Sequence, residues 1–200
     1  MSVLLPPTTQ APAARLPLLG SHVFTPKVFA DERGYFYESF NQAAFNAQVG
    51  NNPATGAPYA FVQDNHSLSS QGVLRGLHYQ LPPFAQGKLV RVVRGAVWDV
   101  AVDLRAASAT LGQWFGVELS AANQKQFWIP PGFAHGFVAL ENNTEFLYKT
   151  TALYSKESER AIAWNDADLA IEWPNLAVQV SSKDAAAGSF KLADLFGGTP

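Results

Sequence analysis

Lys88-Leu-Val-Arg-Val-Val-Arg-Gly-Ala-Val-Trp-Asp-Val-Ala-Val-Asp-Leu104 is the stretch on which the fold class turns. Valines crowd both halves, and Gly95-Ala96 separates them, so it reads as two strands around a tight turn. Side chains alternate along a strand, which places Asp99 and Asp103 on one face and Val100 and Val102 on the other. Working outward, further β-rich runs lie at His22–Val28, Tyr35–Phe40, Phe61–Ser69, Val73–Gln80, Trp114–Leu119, Lys125–Ile129, Gly136–Leu140 and Phe146–Thr151. Gly, Pro and Asn punctuate them. Helical signals are few: Asn41–Gln48, with Asn41 as its cap, and Ser189–Leu195. About ten short strands with few helices predict an all-β sandwich or barrel. A rolled barrel of this size has room inside for a ligand. Function then belongs to inward-facing side chains of several strands.

The 200 residues suit one undivided domain, and 48% of them are hydrophobic, enough for a full core. The net charge of −2 argues against a basic face, so no nucleic-acid partner is expected. The absence of cysteine excludes disulfides, thiolate catalysis and zinc–cysteine sites, and it fits a cytoplasmic location. Met1 to Leu19 is rich in Pro and Ala and lacks the pattern of a secretory signal. Roughly the first 15 residues read as a loose leader. No apolar run reaches the ~18 residues of a membrane-spanning helix, so no membrane partner is expected.

Three segments carry too many polar groups for plain core strands: Val62-Gln-Asp-Asn-His-Ser67, Leu74-Arg-Gly-Leu-His-Tyr-Gln80 with Lys88 after it, and Ile129-Pro-Pro-Gly-Phe-Ala-His-Gly-Phe137. Charged groups among apolar neighbours are rarely buried without partners. Taken alone, the second segment is equally a surface strand with a polar edge. Alternation puts Arg75 and His78 on opposite faces unless Gly76 marks a bulge that re-aims them. His135 reads as part of a Gly- and Pro-bounded turn between two strands. The usual barrel metal centre needs a His-x-His pair, a nearby Glu and a later His. The second position after His78 is Gln80, and the chain has only four His, so no metal is expected.

These residues also carry a family resemblance. Phe29-Ala-Asp-Glu-Arg-Gly-Tyr-Phe-Tyr-Glu-Ser-Phe40, Gln63-Asp-Asn-His-Ser67, Gly72-Val-Leu-Arg-Gly-Leu-His-Tyr-Gln80 and Gln86-Gly-Lys-Leu-Val90 resemble motifs of the dTDP-4-dehydrorhamnose 3,5-epimerases. So do Gly95 to Arg105, Ile129 to Phe137, Glu145 to Thr150, Trp164-Asn-Asp166, Ile171-Glu-Trp-Pro174 and Ser182-Lys-Asp184, all in order. The resemblance implies a homodimeric, cupin-like (jelly-roll) β-barrel. It also implies inversion at C3 and C5 of dTDP-4-dehydro-6-deoxy-D-glucose, in dTDP-rhamnose biosynthesis, without metal or organic cofactor.

The ketone at C4 acidifies the hydrogens at C3 and C5, so the reaction needs a base, an acid on the other face and a group for the enolate oxygen. By resemblance His78 is the base, Asp184 its carboxylate partner, Tyr148 the acid and Lys88 the enolate stabiliser. Arg33 and Arg75, with Lys183, suit the pyrophosphate. Glu38, Gln63, Asp64 and Asn65, joined by Glu159, resemble residues at the nucleoside end. Phe36 and Tyr154 would sandwich the base, and His135 would line the sugar pocket. Asp99 and Asp103 would orient Lys88 or His78. Without the resemblance, Asp184 is a turn residue, Tyr148 a packed strand residue and Lys88 a solvated lysine.

Two stretches depart from the family pattern. Asn51–Pro58 is a short insertion, expected as a longer surface loop. Ala187-Gly188 replaces the usual continuation, so the C-terminal turn is expected to differ. Other readings stay open: a single-site 3- or 5-epimerase of another nucleotide-linked keto sugar, a ketoisomerase, a non-catalytic sugar-binding barrel, and a metal-dependent oxygenase.

Overall fold

The computed structural model describes residue 18 and residues 20–197. The leader expected over the first 15 residues lies outside these. In chain order the elements are β1 (His22–Phe24), β2 (Phe29–Asp31), β3 (Gly34–Phe36), α1 (Gln42–Val49), β4 (Gln63–Ser69), β5 (Leu74–Gln80), β6 (Lys88–Arg94) and β7 (Ala96–Asp103). They continue with β8 (Trp114–Ser120), β9 (Gln126–Ile129), β10 (Phe133–Ala139), β11 (Thr144–Thr150), β12 (Glu159–Ala161) and α2 (Ser182–Ala185). One five-stranded sheet has the order β1-β9-β6-β11-β4 and the other β12-β5-β10-β7-β8, while β2 and β3 form a separate hairpin. The pairings within the two sheets are all antiparallel. The all-β expectation therefore holds, and the few helices are short.

The alternation read from Lys88–Leu104 decides what the barrel encloses. Val90 and Val92 of β6 meet Val97 and Ala101 of β7, Phe127 and Phe146 in the core between the sheets. The opposite face of β7, with Trp98, Val100 and Val102, packs under the C-terminal segment through Ile171, Trp173 and Phe190. Leu89 faces outward to Trp128, Tyr59 and Phe45 of α1. Asn41 caps α1 as expected, accepting from the Ala43 and Ala44 amides at 3.0 and 3.1 Å. Burial of this kind contributes roughly 25 cal/mol per Å² of apolar surface, so three such clusters dominate the stability.

Several boundaries differ from the sequence reading. Tyr35–Phe40 is not one strand; the chain makes the β2–β3 hairpin instead. Phe190–Leu192 is a single 3-10 turn rather than a helix to Leu195. Its N-terminal Ser189 makes no side-chain cap, and Phe196 is drawn away to the Leu104 carbonyl at 3.0 Å. The Asn51–Pro58 insertion is an exposed loop closed on itself by the Asn51–Pro58 bridge. The altered C-terminal turn is tied down, with the Ala163 amide donating to the Gly188 carbonyl at 2.8 Å. β12 and α2 were not visible in the periodicity, being three and four residues long.

Candidate active site

A cavity of about 510 Å³ opens between the two sheets, and it is lined by His78, Lys88, His135, Tyr148, Asp184 and Arg75 among others. Arg75 and His78 reach it together because β5 carries one extra residue. On β10, His135 pairs with His78 and Phe137 with Arg75, two steps opposite three. Gly76 absorbs the difference at φ 139, a conformation that side chains avoid. A Cβ there would sit 2.5 Å from the Gly136 Cα, so only glycine allows β5 and β10 this close. The bulge leaves Leu74 and Leu77 in the outer core while both polar side chains turn inward.

His78 Nε2 lies 2.5 Å from Asp184 Oδ1, and Asp184 is buried. The carboxylate is delivered by α2, whose Ser181 cap accepts from the Asp184 amide at 3.1 Å. Burial is the largest influence on His78 and pushes its pKa below 6.5, against the opposing pull of Asp184. The ring is thus neutral near pH 7, as a base must be.

Lys88 stands on the inward face of β6, buried, and donates to the His78 carbonyl at 3.3 Å. Burial lowers its pKa to about 8, while Asp99 and Glu159 pull the other way. Tyr148 comes from β11, in the sheet opposite His78. Burial raises its pKa, Arg75 partly offsetting this, so the phenol keeps its proton at neutral pH. His78 and Tyr148 therefore belong to different walls of one cavity.

The other expected residues divide. His135 is not in a turn: it is buried within β10, and both Asp99 oxygens lie near its Nε2. Asp99 thus partners His135 by hydrogen bond rather than Lys88 or His78. Asp103 serves neither; it binds Arg105, Ser108 and Thr110 in the loop after β7. Arg75 donates to Ser69 Oγ at 3.3 Å. Lys183 lines the cavity and pairs with Glu159 at 2.5 Å, and Glu159 accepts from the Tyr154 hydroxyl at 2.9 Å. Gln63 and Asn65 share the inward face of β4 and are hydrogen-bonded at 2.9 Å. Asp64, one residue off in the alternation, points outward to Lys149 and does not reach the cavity.

Arg33, Phe36 and Glu38 are also not brought to this cavity. Arg33 sits at the exposed hairpin tip against Asp31, and Phe36 and Glu38 border a separate groove beside α1. Phe36 and Tyr154 are 71% and 57% exposed, and the groove that Phe36 borders does not include Tyr154. Ser67 was missed. Its hydroxyl is sealed without a partner, and it lines the cavity on the same face as Asn65. The period-2 pattern from Gln63 and Asn65 pointed to it.

Among the described residues, no group of three or more His, Cys, Asp or Glu is placed to hold a metal ion. Nor is any helix among them long and apolar enough to cross a membrane.

A family model described as dTDP-4-dehydrorhamnose 3,5-epimerase matches residues 15–192. The dTDP-4-dehydrorhamnose 3,5-epimerase of Shigella flexneri is 56% identical over 87% of this chain and 93% of its own. That of Pseudomonas aeruginosa is 55% identical over 92% and 98%. The crystal structure of a dTDP-6-deoxy-D-glucose-3,5-epimerase from Legionella pneumophila, in complex with dTDP-4-keto-L-rhamnose, aligns with a TM-score of 0.85. It is 46% identical and covers 94% of this chain and 98% of that one. Motif order, barrel and cavity agree with these similarities, and the chain belongs to the dTDP-4-dehydrorhamnose 3,5-epimerase family.

Proposed function

We propose that this isomerase inverts C3 and C5 of dTDP-4-dehydro-6-deoxy-D-glucose, giving dTDP-4-dehydro-L-rhamnose for dTDP-rhamnose synthesis. The observation that carries the reading is the placement of the His78–Asp184 pair in one wall and of Lys88 and Tyr148 in the other. His78 takes the proton beside the ketone, and the electrons of that C–H bond move to the C4 oxygen. Lys88 faces the resulting enolate charge. Tyr148 returns a proton to the carbon from the other face, and the enolate electrons re-form the ketone. Asp184 holds the His78 ring and offsets the charge it gains. Arg75 and Lys183 supply positive charge for the pyrophosphate. No step needs a metal or organic cofactor.

The test is solvent label. With dTDP-4-keto-6-deoxyglucose in D2O, we expect deuterium at both C3 and C5 of the epimerised product, followed by NMR. Label at one carbon would identify a single-site epimerase; label at neither would sink the catalytic reading for this substrate.

We also read the chain as a homodimer. The β2–β3 hairpin exposes Phe29, Tyr35 and Phe36 at 55%, 61% and 71%, a large apolar outlay for a free surface. A partner subunit would cover them and receive Arg33, Phe36 and Glu38 at its own cavity. Sedimentation should give a dimer that Phe29→Ser with Tyr35→Ser weakens; a monomeric wild type at micromolar concentration would overturn this.

A further inference from the structure

A second imidazole–carboxylate pair, which the mechanism above does not use, borders the cavity through its imidazole, His135. Asp99 on β7 is fully buried, and its two oxygens lie 3.1 and 3.0 Å from His135 Nε2. The pair repeats the arrangement of His78 with Asp184, where Nε2 also faces the carboxylate. His135 and His78 are direct cross-strand partners, so the two rings stand side by side in one wall. They differ in access: the His78 side chain is 30% exposed and that of His135 only 7%. A base must exchange its proton between turnovers, which suits the more open ring. The enclosed ring, stacked on Phe146 at 6.1 Å and 20°, suits a fixed contact.

A carboxylate only accepts, so Asp99 keeps a proton on His135 Nε2, and in the neutral ring Nδ1 is then an acceptor. Among the described residues Nδ1 has no hydrogen-bond partner, and the ring lines the cavity. A ketone or an enolate oxygen would present another acceptor to it, whereas a hydroxyl of the sugar ring presents a donor. We propose that Asp99 is a positioning residue: it fixes the Nε2–H tautomer of His135, so that Nδ1 accepts a hydrogen bond from a sugar hydroxyl. This rests on the nucleotide-sugar reading above.

The test compares dTDP-glucose with dTDP, which lacks the sugar, on the full chain. Asp99→Asn can offer an amide N–H to Nε2, which moves the ring proton to Nδ1 and turns the acceptor into a donor. We expect dTDP-glucose to bind about tenfold more weakly by calorimetry, with dTDP unchanged. The imidazole 15N–1H spectrum should show His135 switching from Nε2–H to Nδ1–H. Equal loss of both ligands, loss of neither, or an unchanged tautomer would overturn the proposal. Should Asp99→Asn not fold, His135→Gln carries the same test, since its amide still donates to Asp99. An unmoved ratio of the two affinities would again overturn it. A wild type that binds neither ligand would overturn the nucleotide-sugar reading itself.

Discussion

Replacing His78 by Gln lowers kcat about a thousandfold while dTDP affinity stays within roughly twofold, because general base catalysis contributes about 10² to 10⁴. Gln is chosen because its amide nitrogen matches the position of Nε2 and can still donate to Asp184, which is buried and would otherwise be left unpaired. The loss is then one of proton abstraction rather than of packing. Deuterium should enter neither C3 nor C5. The wild type carries a further signature. Burial holds His78 below its usual 6.5, so the ring is neutral at pH 7 and becomes protonated only as the pH falls through that lowered value. The rate therefore has an acid limb below pH 6.5, and activity is lost on the acid side of it. Retention of most activity in His78→Gln, or of label at either carbon, would remove His78 from the role of base.

How much of this was legible in the sequence depends on the length over which each signal repeats. β7 was readable because Asp99 and Asp103 fall on one face and Val100 and Val102 on the other, and in the structure both faces are buried. The His135 strand was readable only in its later part, as Gly136–Leu140, because Pro130, Pro131 and Gly132 read as a turn that takes in His135. In fact β10 starts at Phe133, directly after that turn, and carries His135 into the barrel. The inward turn of both Arg75 and His78 required the bulge at Gly76, which the sequence offered only as a conditional. The His78–Asp184 contact joins residues 106 apart, and no local pattern encodes it. Only the family resemblance reached that pair. The same holds for Arg33, Phe36 and Glu38. Their motif is plain in the sequence, yet a single chain places them on an exposed hairpin and a neighbouring groove, away from the cavity. The division of Gln63 and Asn65 from Asp64, by contrast, follows from strand alternation alone, which the resemblance passed over.

Lys88→Met lowers kcat about a hundredfold to a thousandfold, the range expected when one preorganised stabiliser of a developing oxyanion is lost. Met keeps much of the stem volume in a site that is only 8% exposed, so the barrel should tolerate it. The pH profile separates this role from simple packing. Burial lowers the Lys88 pKa to about 8, with Asp99 and Glu159 resisting the shift. Below that value the ammonium is charged and the enolate is held; above it the charge is lost. The wild-type rate should therefore fall as the pH rises through about 8. Tyr148 cannot supply this limb, since burial moves its ionisation above 10. In Lys88→Met the residual rate should lose the limb near pH 8. In Lys88→Arg, whose guanidinium stays charged, the limb should move out of the accessible range even if misplacement lowers the rate. A limb near pH 8 that persists in Lys88→Met would show that some other group carries it. Lys88 would then be left as a buried strand residue and not as the group that holds the enolate.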